Sequence, residues 1–374
     1  MKHKKNIVII ENNIIATNTI RQNLTRVLMD KFNVTVLTTG TVMELARAKE
    51  NGFILIDIKA SNQHPVDVVN YLRNIKKALK AVKPDVVLTF TMRPAIWGNL
   101  VTRQLKVPTI TNITGIGPLF NSNHVSYKAA RNLYKFVLKK TALVFFQNFE
   151  DMGLFISKKF VPKNRAQRIP GSGVDHEYYK PVHLQKTDKT FRFLFISRLI
   201  KDKGILEYVA AAKKLKEQLP ATEFQVLGPL WLQNLKGNII TQSEIDQWKR
   251  EGIINYLGAK DDVRPFIAAA DCIVLPSYRE GMSNILLEAA SMQKPCITCD
   301  TTGCNEIVED NVTGFLCKVK DADDLAEKMK KMAHLTEQER LGMGVKARIK
   351  VIKEFDKQIV IDAYLNAINK LLQK

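Results

Sequence analysis

Two glutamates, Glu280 and Glu288, lie eight positions apart in the stretch REGMSNILLEAASMQKP (residues 279–295). A buried-strand pattern, CIVLPS, precedes them, and the apolar run ILLEAA predicts a helix that Ser283 or Asn284 could cap. The free N–H groups at such a helix start attract anions, and carboxylates accept hydrogen bonds from hydroxyl groups. We interpret the pair as contacts for a phosphorylated, polyhydroxylated ligand such as a sugar nucleotide. Each acid taken alone is more typical of surface charge.

A second stretch, ISRLIKDKG (196–204), supplies two cations at the end of another predicted strand, FRFLFISR. Arg198 lies at the strand end and Lys203 at the start of the next helix. Both side chains would project over the carboxyl edge of a parallel sheet, where ligands bind. Cations at that edge can hold a diphosphate. The alternative interpretation is a pair of solvated charges.

Several common cofactor motifs are missing from the sequence. The first predicted strand is followed by ENNIIATNTI (11–20), without a glycine, and no G-x-x-x-x-G-K-[ST] occurs, which disfavours nicotinamide, flavin and P-loop enzymes. Gly115 and Gly117 form a G-x-G in ITGIGP, which is more typical of a tight turn than of a ligand loop. Cys296 and Cys299 have no second cysteine pair or histidine cluster, so we expect buried, reduced thiols and no metal.

Short β-branched runs alternate with helical patterns such as 67–82 and 123–140 along the whole chain. This alternation predicts an α/β architecture of two doubly wound, Rossmann-like domains facing across a cleft, which suits 374 residues better than a single core. The linker RIPGSGVDHEYYKPVHLQKTDK (168–189) is rich in glycine and proline and marks the boundary. We therefore expect domains over 1–180 and 181–355 and a C-terminal helix over 356–374. The runs expected to be strands are NIVIIE, NVTVLTT, FILIDI, DVVLTF, PTITNIT, ALVFFQN, FRFLFISR, EFQVLG, INYLGA, CIVLPS and PCITC.

The two motifs together resemble those of a known family. The pair in the form EGMSNILLEA, the following KPCITCDTTGCNEIVEDNVTGFL, the upstream SRLIKDKG and the IPGSGVD of the linker resemble family 4 of the retaining glycosyltransferases. The likeness is specific over about 165–320, and it is greatest to the bacterial branch that builds capsule, O-antigen and lipid-linked oligosaccharides. It implies the GT-B fold, a first domain that binds the acceptor, a second that binds the nucleotide sugar, and a C-terminal helix that crosses back to the first domain.

The resemblance also implies roles for individual residues. Arg198 and Lys203 would bind the donor diphosphate, Glu280 would touch the transferred sugar, and Glu288 would bind the ribose. The donor would be a UDP-sugar, with no metal or other cofactor and with retention of anomeric configuration. Backbone N–H groups of the helix start would make further donor contacts, from Gly281, Met282, Ser283 and Asn284.

The first domain departs from the family pattern. Asn12 and Asn13 stand where many relatives have a glycine-rich loop, and NITGIGPLF lacks the histidine that many relatives carry there. Acceptor contacts are therefore expected at the loop residues Asn12, Asn13, Gly115 and Gly117.

The net charge of +20 is concentrated in the first half of the chain. Residues 1–183 hold 28 Lys and Arg against 11 Asp and Glu, whereas residues 184–374 hold 29 against 26. The predicted helix 127–140 places four cations within a sector of about 80°, flanked by Phe136 and Leu138. We call these four the basic stripe: Lys128, Arg131, Lys135 and Lys139. A second predicted helix repeats the design with Arg73, Lys76, Lys77 and Lys80.

Such faces could dock on an anionic membrane surface, or they could simply be solvated. Nucleic acid is disfavoured as a partner because no binding motif accompanies the charge. The apolar run IVII near the N-terminus is too short for a signal peptide or a membrane span, so we expect a cytoplasmic protein, peripheral on the inner face of the plasma membrane.

The function favoured by these features is transfer of a hexose or N-acetylhexosamine, GlcNAc or GalNAc in particular, from a UDP-sugar to a polyprenyl-diphosphate-linked sugar acceptor. One alternative is a UDP-sugar epimerase or hydrolase of the same fold. The other is a basic, non-catalytic protein that binds RNA or a membrane.

Overall fold

The computed structural model describes residues 4–59, 65–116, 125–182, 184, 188–231 and 237–373 of the chain. The chain packs as two compact units. Unit 1 comprises Met1–Ser172 together with Lys357–Lys374, and unit 2 comprises Gly173–Asp356. The chain thus leaves unit 1 inside the glycine- and proline-rich linker and re-enters it after Asp356.

Unit 1 alternates strands and helices along the sequence. Its strands are β1 (Asn6–Ile10), β2 (Asn33–Thr38), β3 (Ile54–Asp57), β4 (Val86–Phe90), β5 (Thr109–Ile113), β6 (Leu143–Phe146) and β7 (Ala166–Arg168). Its first seven helices are α1 (Ile15–Asn18), α2 (Gln22–Lys31), α3 (Val42–Glu50), α4 (Pro65–Val82), α5 (Met92–Gln104), α6 (Val125–Leu138) and α7 (Phe149–Ser157). Of these seven strands only β7 was not expected, because its three residues, AQR, carry no apolar pattern.

The seven strands form one parallel sheet in the order β3-β2-β1-β4-β5-β6-β7. This is a doubly wound order, and its direction reverses between β1 and β4, where Ile7 pairs with Val86. Every residue of β4 is buried, as expected for a central strand covered by helices on both faces.

The described part of unit 2 repeats the design with six strands and six helices. The strands are β8 (Phe191–Ile196), β9 (Thr222–Leu227), β10 (Asn255–Tyr256), β11 (Cys272–Leu275), β12 (Cys296–Cys299) and β13 (Gly314–Cys317). The helices are α8 (Ile205–Leu215), α9 (Gln242–Arg250), α10 (Arg264–Ala269), α11 (Asn284–Ser291), α12 (Ala322–His334) and α13 (Glu337–Phe355). The sheet is parallel in the order β10-β9-β8-β11-β12-β13, so its winding reverses between β8 and β11. The prediction of two Rossmann-like sheets is confirmed, although β13, with the sequence GFLC, was not among the expected strands.

The last helix, α14 (Lys357–Leu372), belongs to the core of unit 1. Tyr364 packs between Phe90 and Phe145, with ring centroids 5.8 and 4.8 Å away, and Asn112 Nδ2 donates a hydrogen bond to its hydroxyl at 2.7 Å. Ile368 is fully buried in the same core. The expected return of the C-terminal helix to the first domain is therefore confirmed.

Three helix starts use a reciprocal capping box. In α3, α9 and α13 a threonine accepts the N–H of a glutamate three residues on, and the glutamate carboxylate accepts the threonine N–H in return. The pairs are Thr41–Glu44, Thr241–Glu244 and Thr336–Glu339. These local signals are readable in the sequence and fix where each helix begins.

The five cysteines are free thiols buried in unit 2. Burial raises the pKa of Cys296 to about 12, which keeps its thiol protonated and unreactive. Cys299 and Cys317 face each other across β12 and β13, with their sulfur atoms 3.8 Å apart. We interpret all five as packing residues.

The two basic helices differ in detail from the expectation. Helix α6 ends at Leu138, so Lys139 lies just beyond it. Leu138 does not flank the basic stripe but is fully buried, because it packs with Val144 and Phe146 beneath the helix. Phe136 is 52% exposed and lies under the Arg103 guanidinium, 4.0 Å from its ring centroid.

Exposure also varies among the cations. In α4 the cations Arg73, Lys76, Lys77 and Lys80 are all exposed, whereas in the basic stripe only Lys128 and Lys139 are. Arg131 and Lys135 are half-buried, and Lys135 Nζ lies 5.8 Å from the Phe160 ring. Among the helices that the structure describes, none has the length and hydropathy to cross a membrane.

Candidate active site

Both sequence motifs follow neighbouring strands of unit 2. The ISRLIKDKG stretch follows β8 and the REGMSN stretch follows β11, and these two strands pair side by side, Phe193 beside Cys272. Their carboxyl ends meet where the winding of the sheet reverses. Ligands of doubly wound sheets bind at this position.

The two loops approach each other closely at a glycine. Gly204 has φ +76°, and a Cβ atom at this position would lie 2.0 Å from the Pro276 carbonyl oxygen. Only glycine fits such a contact without displacing backbone. The Tyr278 N–H also donates to the Asp202 carbonyl oxygen at 2.9 Å, so the loop carrying Lys203 is held against the loop after β11.

Lys203 and Glu280 form an ion pair between these loops. Lys203 Nζ contacts Glu280 Oε1, and the two side chains are only 17% and 13% exposed. The cation expected at the diphosphate and the acid expected at the sugar are therefore direct neighbours. A diphosphate that reaches Lys203 has to share the ammonium group with this carboxylate.

The start of α11 is shaped by a second loop, 302–303. The Glu280 N–H donates to the Thr302 carbonyl oxygen at 3.1 Å, and the Ser283 N–H donates to the Gly303 carbonyl oxygen at 3.0 Å. Ser283 occupies the N-cap position, but its hydroxyl caps none of the first-turn N–H groups in the described part of the chain. Met282 is buried in the core, so only its backbone could meet a ligand. The first-turn N–H groups of α11 thus have no side-chain cap, whereas the backbone N–H of Ser283 is already hydrogen-bonded to Gly303.

Glu288 lies in the second turn of α11 and is bonded to a tyrosine from the linker. Burial raises the pKa of Glu288 to about 7, and a hydrogen bond donated by the Tyr179 hydroxyl partly offsets that rise. Burial and the same carboxyl raise the pKa of Tyr179 above its usual value. Ser291 Oγ donates to the Tyr179 carbonyl oxygen at 2.8 Å and thereby holds this tyrosine against α11.

Arg198 stands apart from the acids. Its side chain is exposed, and its guanidinium carbon lies 4.7 Å from the centroid of the Trp231 ring. Within the described ranges, no ion pair joins Arg198 to Glu280 or Glu288. The structure therefore brings Lys203 and Glu280 together and leaves Arg198 stacked on a tryptophan.

Sequence reasoning missed three features of this edge. Tyr179 and Trp231 are far in sequence from the residues they contact, and a tyrosine or tryptophan in a loop is not by itself a signal. The role of Thr302 and Gly303 is more accessible, because the stretch DTTGCNE directly follows the β12 strand pattern.

At the corresponding edge of unit 1, the expected loop residues are spread out. Asn12 is exposed, and Asn13 Oδ1 accepts the Ile15 N–H at 2.7 Å, which starts α1. Gly115 follows β5 with φ +142°. Gly117 lies outside the described residues.

A buried ion pair, also missed from the sequence, lies at the end of β1. Glu11 and Arg21 are 2% and 5% exposed, and Arg21 Nη1 lies 3.4 Å from Glu11 Oε1. The Arg21 guanidinium also covers the Phe90 ring at 4.4 Å, and burial raises the pKa of Glu11. An acid placed directly after a buried strand was the signal that could have found it.

The described residues contain no cluster of three or more His, Cys, Asp or Glu side chains placed to hold a metal ion. The polar groups at the unit 2 edge are instead a lysine, an arginine, two carboxylates, a tyrosine hydroxyl and a helix start. Such a set can bind a phosphorylated ligand that also carries hydroxyl groups.

Two family models match the chain, one in each unit. Residues 15–148 match a model described as "Glycosyl transferase 4-like", and residues 190–334 match "Glycosyl transferases group 1". The second match includes both motifs described above.

Relatives of known activity cover most of the chain. It is 24% identical over 338 residues, 86% of each chain, to the N,N'-diacetylbacillosaminyl-diphospho-undecaprenol alpha-1,3-N-acetylgalactosaminyltransferase of Campylobacter jejuni. It is 29% identical over 321 residues to the UDP-Gal:alpha-D-GlcNAc-diphosphoundecaprenol alpha-1,3-galactosyltransferase of Escherichia coli, which covers 79% of this chain and 80% of the relative.

The fold matches a solved structure over nearly its whole length. HepE of Anabaena, solved with UDP and glucose, superposes with a TM-score of 0.81 at 15% identity, covering 98% of this chain and all of that one. The expected GT-B fold is thereby confirmed.

Proposed function

Because the chain belongs to the group 1, or family 4, glycosyltransferases, we propose that it moves a hexose or N-acetylhexosamine from a UDP-sugar to a polyprenyl-diphosphate-linked sugar. GlcNAc and GalNAc are the favoured sugars. In this proposal the reaction retains the anomeric configuration and requires no metal ion, and the product enters a bacterial surface polysaccharide or related glycan.

The observation that carries the donor half of this proposal is the Lys203–Glu280 pair at the start of α11. A cation, a carboxylate and the N–H groups of a helix start lie together at the point where the sheet reverses. Glu288 lies in the second turn of the same helix and could accept hydrogen bonds from ribose hydroxyl groups when it is ionised. The structurally similar HepE was solved in complex with UDP and glucose, which supports a UDP-sugar as the donor class.

In the proposed reaction Lys203 and Arg198 neutralise the charge that develops on the leaving diphosphate. The acceptor hydroxyl attacks the anomeric carbon from the face that the diphosphate leaves, the glycosidic bond to phosphate breaks, and a phosphate oxygen takes the hydroxyl proton. No protein nucleophile enters this scheme. Glu280 binds the transferred sugar. When the diphosphate binds, Lys203 moves partly away from Glu280 and towards the phosphate oxygens.

The acceptor half of the proposal is supported by the two relatives whose names specify undecaprenyl-diphosphate-linked acceptors. In this proposal unit 1 binds the acceptor through the loops that carry Asn12, Asn13 and Gly115. The exposed cations of α4 and the basic stripe would then hold the protein, as a peripheral cytoplasmic enzyme, against the anionic leaflet that contains the acceptor.

Stabilisation by nucleotides tests the donor site first. Thermal unfolding is measured with UDP, GDP, ADP and a panel of UDP-sugars, since a ligand that binds only the native state raises the unfolding temperature by mass action. We expect a selective response to UDP and UDP-sugars that is lost in Lys203→Ala. Equal responses to all three nucleotides, or none, would contradict the assignment of this site.

Product analysis then separates transfer from the other activities of the fold. With a lipid-linked sugar acceptor we expect UDP and one elongated glycan, and Glu280→Ala should abolish transfer while UDP affinity stays nearly intact. Free sugar or an epimerised UDP-sugar as the main product would favour the hydrolase or epimerase alternative. Binding of RNA without any response to UDP would favour the non-catalytic one.

Membrane docking has a separate test. Replacing all four residues of the basic stripe with glutamine removes the charges and keeps a good helix former at the three positions within α6. We expect weaker binding to anionic vesicles, by about 1 kcal/mol for each cation near the surface, and unchanged turnover on a water-soluble acceptor analogue. Unchanged vesicle binding would mean that the stripe is only solvated.

A further inference from the structure

We propose that a cavity at the amino edge of β5 and β6 in unit 1 binds a phosphate group. The cavity has a volume of about 440 Å³ and is framed by the ends of α5 and α6 and the segments that lead into the two strands. It lies at the opposite edge of the sheet from Asn12, Asn13 and Gly115, because all strands of this sheet are parallel. The proposal therefore concerns a different site from the acceptor loops.

The charge of the cavity lining is the first argument. Four cations line it, Arg103, Lys106, Lys140 and Arg165, and no Asp or Glu is among its lining residues. In the described ranges none of the four forms an ion pair with a carboxylate. Four uncompensated positive charges around one concave space attract an anion strongly, since the low-dielectric walls concentrate their field.

The two arginines are held in place by the end of α6. Arg103 Nη1 donates to the Phe136 carbonyl oxygen at 3.1 Å, and its guanidinium stacks on the Phe136 ring. Arg165 Nη1 donates to the carbonyl oxygens of Lys139 and Thr141 at 3.2 and 3.4 Å. A fixed guanidinium loses little freedom when its remaining N–H groups bind phosphate oxygens.

Helix capping alone does not account for the cavity. It explains why Arg103 lies at a last-turn carbonyl of α6 and Arg165 at the carbonyls that directly follow the helix, since a helix end favours cations. It does not explain the exposed lysines Lys106 and Lys140, whose ammonium groups bond to no helix carbonyl among the described contacts and which nevertheless line the cavity.

Four of the residues that line the cavity are uncharged polar side chains, Asn99, Thr102, Thr109 and Thr141. Thr109 Oγ1 donates to Thr102 Oγ1 at 2.8 Å, and Thr141 Oγ1 donates to Asn99 Oδ1 at 2.9 Å. All four residues are buried, and their mutual hydrogen bonds hold this part of the lining in place.

The phosphate could come from the head group of an anionic lipid or from a free phosphomonoester. The double variant Lys106→Asn/Lys140→Gln removes two charges from the cavity without touching the arginines that cap α6. Asparagine suits position 106, where φ is +57°. The matched control is Lys159→Asn/Lys158→Gln, because Lys159 has φ +58°, both lysines are exposed and neither lines the cavity.

Binding of inorganic phosphate and of glycerol 1-phosphate is measured by calorimetry at low ionic strength, and binding to phosphatidylglycerol vesicles by cosedimentation. We expect the cavity variant, which lacks two positive charges, to bind the soluble probes about 30-fold more weakly than the wild type, and the control to bind them like the wild type. A parallel loss of vesicle binding would assign the phosphate to a lipid head group, and a loss confined to the soluble probes would assign it to a free phosphomonoester.

Equal binding of every probe by the cavity variant and the control would overturn the proposal, as would a wild type that binds none of them. Transfer to a soluble acceptor analogue should be unchanged in both variants. Failure of the phosphate site is thus distinguishable from failure of the proposed sugar transfer.

Discussion

Glu288 should make nucleotide-sugar binding depend on pH close to neutrality. Burial raises the pKa of its carboxyl from the usual 4.5 to about 7, with the Tyr179 hydroxyl partly offsetting the rise. In the proposed complex the carboxyl accepts hydrogen bonds from ribose hydroxyl groups, and the ionised form is the better acceptor. Below the pKa the protonated form predominates, so affinity for the donor should fall as the pH falls.

The size of the effect follows from the pKa. With a value of about 7, roughly one tenth of the carboxyl is ionised at about pH 6 and roughly nine tenths at about pH 8. If only the ionised form binds, the affinity rises about tenfold across this interval. The stability of the ligand-free protein should show the opposite trend with pH. Because the pKa of Glu288 is higher in the folded protein than in the unfolded chain, the folded state binds more protons than the unfolded state between about pH 4.5 and about pH 7. The contribution of Glu288 to the free energy of unfolding is therefore fully present below about pH 4.5 and is lost as the pH rises through about 7.

The assay is a calorimetric titration with UDP-N-acetylglucosamine, whose diphosphate diester keeps its charge over this range. Glu288→Gln preserves the shape of the side chain and should give weaker binding that no longer varies with pH. Tyr179→Phe removes the hydrogen bond that lowers the Glu288 pKa, so the midpoint of the pH curve should move upward. A wild-type affinity that is constant from about pH 6 to about pH 8, or a slope that survives in Glu288→Gln, would refute the reasoning.

Three further outcomes are expected. Lys203→Met should weaken UDP binding by about 10-fold or more in calorimetry. It should also destabilise the protein, because the Glu280 carboxylate loses its partner, and adding Glu280→Ala should recover part of that lost stability. Strictly additive effects of the two substitutions on stability would argue against the ion pair. Gly204→Ala should destabilise unit 2 by more than about 2 kcal/mol in urea unfolding, because its Cβ would meet the Pro276 carbonyl oxygen, and a wild-type midpoint would contradict the close contact. Ile368→Ala should cost unit 1 about 2–5 kcal/mol, and a change below about 1 kcal/mol would mean that α14 is not part of its core.

Much of the fold was predictable because parallel strands are buried on both faces and read as continuous apolar runs. The strand β7 was not predicted, because its short polar run has no such pattern. Leu138 was wrongly expected to flank the basic stripe, because helical periodicity does not show how deeply α6 is buried. In the candidate site, Lys203 and Glu280 could be singled out as charged residues after neighbouring strands. Their direct pairing could not, because it depends on a glycine-mediated approach of two loops.

The contacts of α11 show a similar limit. Its start, the two glutamates and the apolar face are all visible in one stretch of sequence. Tyr179 and the loop 302–303 were not assigned a role, because each reaches α11 from a distant part of the chain. Reading local sequence therefore found the charged groups of the site but not the groups that hold them.

The return of α14 to unit 1 bears on the order in which the protein can fold during synthesis. The ribosome completes all of unit 2 before it makes Lys357, while the core of unit 1 still lacks Tyr364 and Ile368. A nascent chain that ends at Asp356 can finish the second sheet but leaves Phe90 and Phe145 without the tyrosine that packs between them. The domain made first is thus completed last, and its open apolar surface is what a chaperone would encounter on the growing chain.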